Sequence, residues 1–221
     1  MIRRDFIIRM IEEMGRALAQ IRALRRGRQS EAATQVIDAE CEKLVALGIK
    51  GILGLSETEL VARVSEGQLA QTVHFRTLSV ITLLCEAAAI SKDEGREEEA
   101  REIHLKALRL LLEVLSREDP LEFPEFVPKV ESILGALQSK PMPVETQTML
   151  MRHYEATGQF AKAEDCLFAI LDDVGPNPAI TGFGRAFYER ILRRSDQSLA
   201  EGDLPRSEAK QGLDEFLKII Y

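Results

Sequence analysis

The chain has no tryptophan, and aromatic residues make up only 5% of its 221 positions. β-Sandwiches and barrels draw on aromatic and β-branched residues for their strands, so this scarcity points to helices packed by leucine, isoleucine and alanine. Cysteine is equally sparse: Cys41, Cys85 and Cys166 lie far apart in apolar helical contexts. They offer neither a zinc spacing nor a Cys-x-x-Cys pair, which predicts buried thiols in a reducing cytosol. Proline is missing before Pro120, and all eight prolines fall between Pro120 and Pro205. Long uninterrupted helices are therefore allowed in the N-terminal half. No apolar run is read as long enough for a membrane span, and Arg3, Arg4, Asp5 and Arg9 interrupt any signal-peptide core. The expectation is a cytoplasmic protein.

What is present is ordinary for a globular chain: 45% hydrophobic and 29% charged residues. At this length about 70–75% of the unfolded surface can be buried, so folding requires no disulfide or structural metal. Ile2, Phe6, Ile7, Met10, Ile11, Met14, Leu18, Ile21 and Leu24 recur every three or four residues, the stripe of one long helix ending near Gly27. A second helix is expected over about 28–47, with Ala32, Val36, Ile37, Ala39 and Leu44 on one side, before Gly48, Gly51 and Gly54 break the pattern. Ser56 and Glu59 have capping-box spacing, which predicts a short helix over 57–65. Further helices are expected over about 70–93, 96–117, 144–157, 159–173, 183–200 and 205–220. Pro120, Pro124 and Pro128 mark a boundary at 119–124, followed by a helix to about Leu137 and a second connector at 139–143. The division is then an N-terminal helical part (1–118), a proline-bearing connector with one helix (119–143) and C-terminal helix pairs (144–221).

Three junctions share a spacing: Gly27…Ala32, Gly95…Ala100 and Gly158…Ala163. A glycine can take the left-handed conformation that stops one helix, and a small residue one turn into the next lets the pair approach closely. Leu150, Met151, Tyr154, Gly158, Phe160, Ala163, Leu167, Ile170 and Pro176 stand at spacings that resemble a tetratricopeptide repeat. Residues 84–111 and 16–43 are similar with fewer matches. Gly27 and Gly95 are 68 residues apart, two periods of 34, whereas Gly95 and Gly158 are 63 apart, so the array is irregular. The fold class expected is all-α, antiparallel helix pairs in an irregular tetratricopeptide-like array, with a plain antiparallel bundle as the alternative. The opening Met1-Ile-Arg-Arg-Asp-Phe6 and the late Gly184-Arg-Ala-Phe-Tyr-Glu-Arg190 resemble an uncharacterised bacterial family, a domain of unknown function with such helices. That resemblance implies no active-site residue.

Catalytic motifs are lacking. His74, His104 and His153 carry no metal-ligand spacing, and Gly182-Phe-Gly184 lacks the third glycine and the preceding strand of a dinucleotide fingerprint. Glu97-Glu-Glu99 opens a helix, where negative charge suits the dipole. No enzyme, metal or cofactor is expected. The clearest asymmetry is electrostatic: residues 1–28 hold eight arginines against Asp5, Glu12 and Glu13, a balance of 8 − 3 = +5, which leaves −7 − 5 = −12 on the remainder. Arg22, Arg25, Arg26 and Arg28 cluster at the end of the first helix, either as helix-end partners or as a partner-binding patch. Thr148, Arg152 and Glu155 are expected on the groove face of the most repeat-like hairpin, opposite Leu150 and Tyr154. These seven residues are the candidate protein-binding positions. The expected function is a protein–protein interaction module, with self-assembly through the basic first helix as the alternative, and a small-ligand binder or enzyme behind both. An acidic pI near 5.2 and arginines without interleaved aromatics disfavour nucleic acid.

Overall fold

The computed structural model describes residues 2–67, 69–117, 123–137 and 140–220. Among them are twelve helices and no strand: α1 (Ile2–Arg26), α2 (Ser30–Val45), α3 (Ile49–Leu53), α4 (Glu57–Ser65), α5 (Ala70–Asp93), α6 (Glu97–Leu115), α7 (Val130–Leu137), α8 (Val144–Ala156), α9 (Phe160–Val174), α10 (Pro178–Ile191), α11 (Asp196–Glu201) and α12 (Arg206–Ile220). The all-α expectation holds. The chain divides into two compact units, Met1–Lys140 and Pro141–Tyr221, parted at the second of the proline connectors.

In the first unit the hairpins α1/α2 and α5/α6 pack together through α2 and α1 against α5, with α4 on α5 and α6, and α7 on α6. Helix α5 forms the centre. Its stretch Thr72–Asp93 has a mean hydropathy of 1.5 and the length to cross a membrane, which the sequence reading did not anticipate. In this fold 78% of that apolar window is buried, as befits a core helix. In the second unit α8/α9 form a hairpin, α10 lies against α9 and α12, and α11 against α12.

The three long hairpins turn on one backbone design. The left-handed residue is Arg28 (φ 56°), Gly95 (φ 77°) or Gly158 (φ 76°). The following residue, Gln29, Arg96 or Gln159, donates its amide back to Leu24, Ser91 or Tyr154 at 2.8–2.9 Å and caps the next helix with ψ of 59–66°. This six-residue closure is a Schellman motif, and it satisfies carbonyls that the helix end leaves open. Four residues beyond each cap lies a buried alanine: Ala33, Ala100 or Ala163. The first junction is thus shifted by one from the glycine-based expectation. Arg28, not Gly27, takes the left-handed position, and Ala33, not the half-buried Ala32, is the buried alanine. From Arg28 to Gly95 is 67 residues, so the spacing of two 34-residue periods disappears. A fourth closure, from Leu204 to Leu199 at 3.0 Å around Asp203 (φ 57°), joins α11 to α12.

Other departures have local causes. The glycine-rich break after α2 contains α3, because Asp38 Oδ1 accepts the Ile49 amide at 2.7 Å and starts a turn. The capping box at Ser56 is present as expected, Ser56 accepting from the Glu59 amide and Glu59 from the Ser56 amide. The helix expected over 183–200 is two. Asn177 caps the Ala179 and Ile180 amides with Pro178 in the first turn, so α10 begins earlier than anticipated. Ser195 then caps α11, while Arg206 donates to the Leu192 and Arg194 carbonyls at 2.6 and 2.5 Å and pairs with Asp196, fixing the corner between them.

Candidate functional site

The basic cluster closing α1 is engaged within its own unit. Arg22 Nε donates to Glu86 Oε1 at 2.6 Å, and Arg25 reaches Glu86 Oε2 at 3.3 Å and Asp93 at 2.9 Å. Glu86 is only 7% exposed on α5, so the two guanidinium groups neutralise a carboxylate that would be costly to bury alone. Arg26 Nε donates to the Arg22 carbonyl one turn back at 3.3 Å, and Arg28 forms the turn with its side chain exposed. Four arginines adjacent in sequence therefore have three separate placements.

On α8, Leu150, Met151 and Tyr154 are buried. Thr148 is half-buried and its hydroxyl donates to the Val144 carbonyl at 2.8 Å. Arg152 is exposed. Glu155 accepts a two-pronged contact from Arg190 on α10, at 2.6 and 2.8 Å, which ties the α8/α9 hairpin to the next helix. Of the three positions expected on the open face, Arg152 is the one presented most fully to solvent.

Other buried charges follow the same pattern of local use. Lys106 on α6 is buried and donates to the Leu55 carbonyl just beyond α3, and burial holds its ammonium below the usual lysine range. Beside it Arg109 pairs with Glu57 at 2.7 Å; burial pushes the Glu57 carboxyl up, but the Arg109 hydrogen bond and charge bring it below its ordinary value. In the second unit Tyr188 donates to Glu164 Oε1 at 2.6 Å. Burial raises both groups, so Glu164 binds its proton more readily than a solvated carboxyl. Desolvation pushes the thiols up as well, Cys85 to about 12 and Cys166 to about 11, which keeps them from acting as thiolates at neutral pH.

The histidines also serve packing. His104 is buried, bonds back to the Ala100 backbone and is held below its usual value by desolvation. It lines a cleft of about 20 Å³ with Lys92, Glu97, Arg101 and Lys140, room for roughly one water. His74 stands edge-on to Phe123, and His153 lies against the Tyr154 ring. Among the described residues no three His, Cys, Asp or Glu side chains converge as metal ligands.

The segment Gly184–Arg190 contributes to the core of the second unit. Gly184, Phe187 and Tyr188 are buried, and a Cβ on Gly184 would stand 2.2 Å from Cζ of Phe216. Gly212 lies as close to the Glu164 and Tyr188 pair, and Gly202 to the Gly158 carbonyl and the Phe160 ring. Sequence reasoning missed these close approaches, since each needs a partner more than twenty residues away in the chain. No curated protein and no solved structure matches this chain. A family model does: it spans residues 1–220, and the chain belongs to that family, DUF6483, a family of unknown function.

Proposed function

We propose that this chain is a non-catalytic, cytoplasmic protein-binding module built of tetratricopeptide-like hairpins. The observation that carries the reading is the repeated hairpin design: one Schellman corner and one buried alanine recur at Arg28/Ala33, Gly95/Ala100 and Gly158/Ala163. Helix hairpins of this kind commit one face of each helix to packing and leave the other open for a partner. The ionisable groups inside the fold support it, because the buried Glu86 and Lys106 and the half-buried Glu164 each hydrogen-bond to other parts of the chain.

Arg152 on the outer face of α8 is the contact residue in this reading, with Thr148 beside it one turn earlier. The test is affinity capture of the tagged chain from native lysate at low and high salt, beside Arg152→Glu. A polypeptide recovered by the parent chain, weakened by salt and lost with Arg152→Glu at unchanged melting temperature, would support the assignment. Undiminished recovery with the variant would remove Arg152 from it, and turnover of a small molecule by the purified chain would overturn the non-catalytic reading.

A further inference from the structure

Helix α7 has only eight residues, too short to persist in water by itself, and it packs chiefly on α6. Its buried side chains are Val130, Ile133 and Leu137. Beside its last turn lies His104 of α6, 7% exposed and bonded back to the Ala100 backbone, in a cleft that it shares with Ala136 and Leu137. A titratable ring is thus set into the seam on which a short helix depends. The charges that line this cleft are mostly of one sign. Lys92 comes from the end of α5, Arg101 from one turn earlier on α6 and Lys140 from the chain beyond α7, against Glu97 as the one carboxylate of the lining. Glu98, also at the start of α6, pairs with Lys140 at 2.8 Å, and both are exposed, so the bridge adds little to the seam. The cleft has room for roughly one water, so an imidazolium formed there would stand near cationic groups without the hydration of an open site.

We propose that His104 is an acid-operated latch: on taking up a proton it lifts the last turn of α7 from α6 and opens the seam between them. Burial lowers the proton affinity of the ring in the closed seam, the Ala100 bond opposes that, and the Lys92 charge adds to it. Once the seam opens, water reaches the ring and its ordinary value of 6.5 returns. The closed form is therefore most favoured above pH 6.5 and loses ground as pH falls below it. The hydrogen bond from Lys140 holds the Glu98 carboxyl below its ordinary 4.5, so that pair stays charged while His104 titrates. Opening uncovers Val130, Ile133 and Leu137 and the α6 surface beneath them. The latch is independent of the α8 surface.

The experiment is amide hydrogen exchange of the full chain at about pH 7.5 and about pH 5, each corrected for the intrinsic rate at that pH. Protection over 130–137 should fall severalfold at the lower pH, with a ceiling of about thirtyfold set by the ordinary histidine value, while the middle of α5 should not follow. His104→Gln keeps a side-chain donor but takes up no proton, and it should abolish the fall. Lys92→Gln should reduce the fall, and because Lys92 is exposed this variant folds whether or not the buried one does. Equal protection of α7 at both pH values, a fall that persists in His104→Gln or is unchanged by Lys92→Gln, or a parallel loss across α5 and α6 would overturn the proposal.

Discussion

Two glycines on one helix should respond to alanine in opposite directions. Gly182 and Gly184 both lie inside α10, neither in the left-handed region, so alanine at either position gains about 0.8–1 kcal/mol of helix propensity. At Gly182 nothing lies within 4 Å of an added Cβ, and that gain should appear as stabilisation of about 0.5–1 kcal/mol. At Gly184 the Cβ would meet Cζ, Cε1 and Cε2 of Phe216 at 2.2, 2.5 and 2.9 Å. The Phe216 ring is fully buried and packs on Phe168 and Tyr188 with centroids 6.2 Å away, so it has little room to retreat. An approach this close belongs in the upper part of the about 1–3 kcal/mol that overpacking costs, which leaves Gly184→Ala destabilised by about 1–2 kcal/mol after the propensity gain. The assay is favourable because Tyr154, Tyr188 and Tyr221 all lie in the second unit and no tryptophan masks them. Guanidinium unfolding followed by tyrosine fluorescence thus reports that unit alone, and avoids treating the two units as one transition. Combining Gly184→Ala with Phe216→Leu should recover part of the loss, giving a coupling of about 1 kcal/mol or more. If Gly184→Ala proves as stable as the parent, the packing of α10 against α12 described above is wrong.

The shifted first corner separates two neighbouring alanines: Ala33→Glu should cost several kcal/mol, as should Ala163→Glu, because each buries an unpaired charge. Ala32→Glu should cost far less, and equal losses at 32 and 33 in thermal melts would refute the register of α2. Glu164 gives a pH signature. Its folded carboxyl lies above the ordinary 4.5, through desolvation first and then the carboxylates of Asp165, Glu215 and Glu208, with the Tyr188 hydrogen bond opposing. The folded state then holds the proton more tightly, so this residue's contribution falls as pH rises from 4.5 through the raised value. Glu164→Gln keeps an acceptor for Tyr188 and loses the charge; relative to the parent it should be most favourable at neutral pH, with that advantage fading below about 4.5. A pH-independent difference between the two unfolding curves would count against the assignment.

The helical periods were legible because amphipathic spacing is a local property. The start of α5, the capping box at Ser56 and the span of α8 follow from residues three or four apart. The errors arose where a side chain from elsewhere decides. Asp38 starts α3 from eleven residues away, and Arg206 holds the corner that divides α10 from α11. The first hairpin misled for another reason. Gly27 was the obvious residue for a left-handed turn, and the chain places Arg28 there, accepting about 1–2 kcal/mol of backbone strain. The candidate residues were found more readily than their roles: Arg22, Arg25 and Glu155 are visible as charges, but only the fold brings Glu86 and Arg190 to them.

The corner shared by the three long hairpins is written in main-chain atoms. Its closing bond runs from amide to carbonyl, and the residue at its tip faces outward: Arg28 is exposed, and a Cβ on Gly95 or Gly158 would meet nothing within 4 Å. Shape and surface chemistry are thereby uncoupled at these tips. A lineage can exchange glycine for a charged residue there, altering what the tip offers its surroundings at a modest cost in strain, while the helices on either side keep their angle.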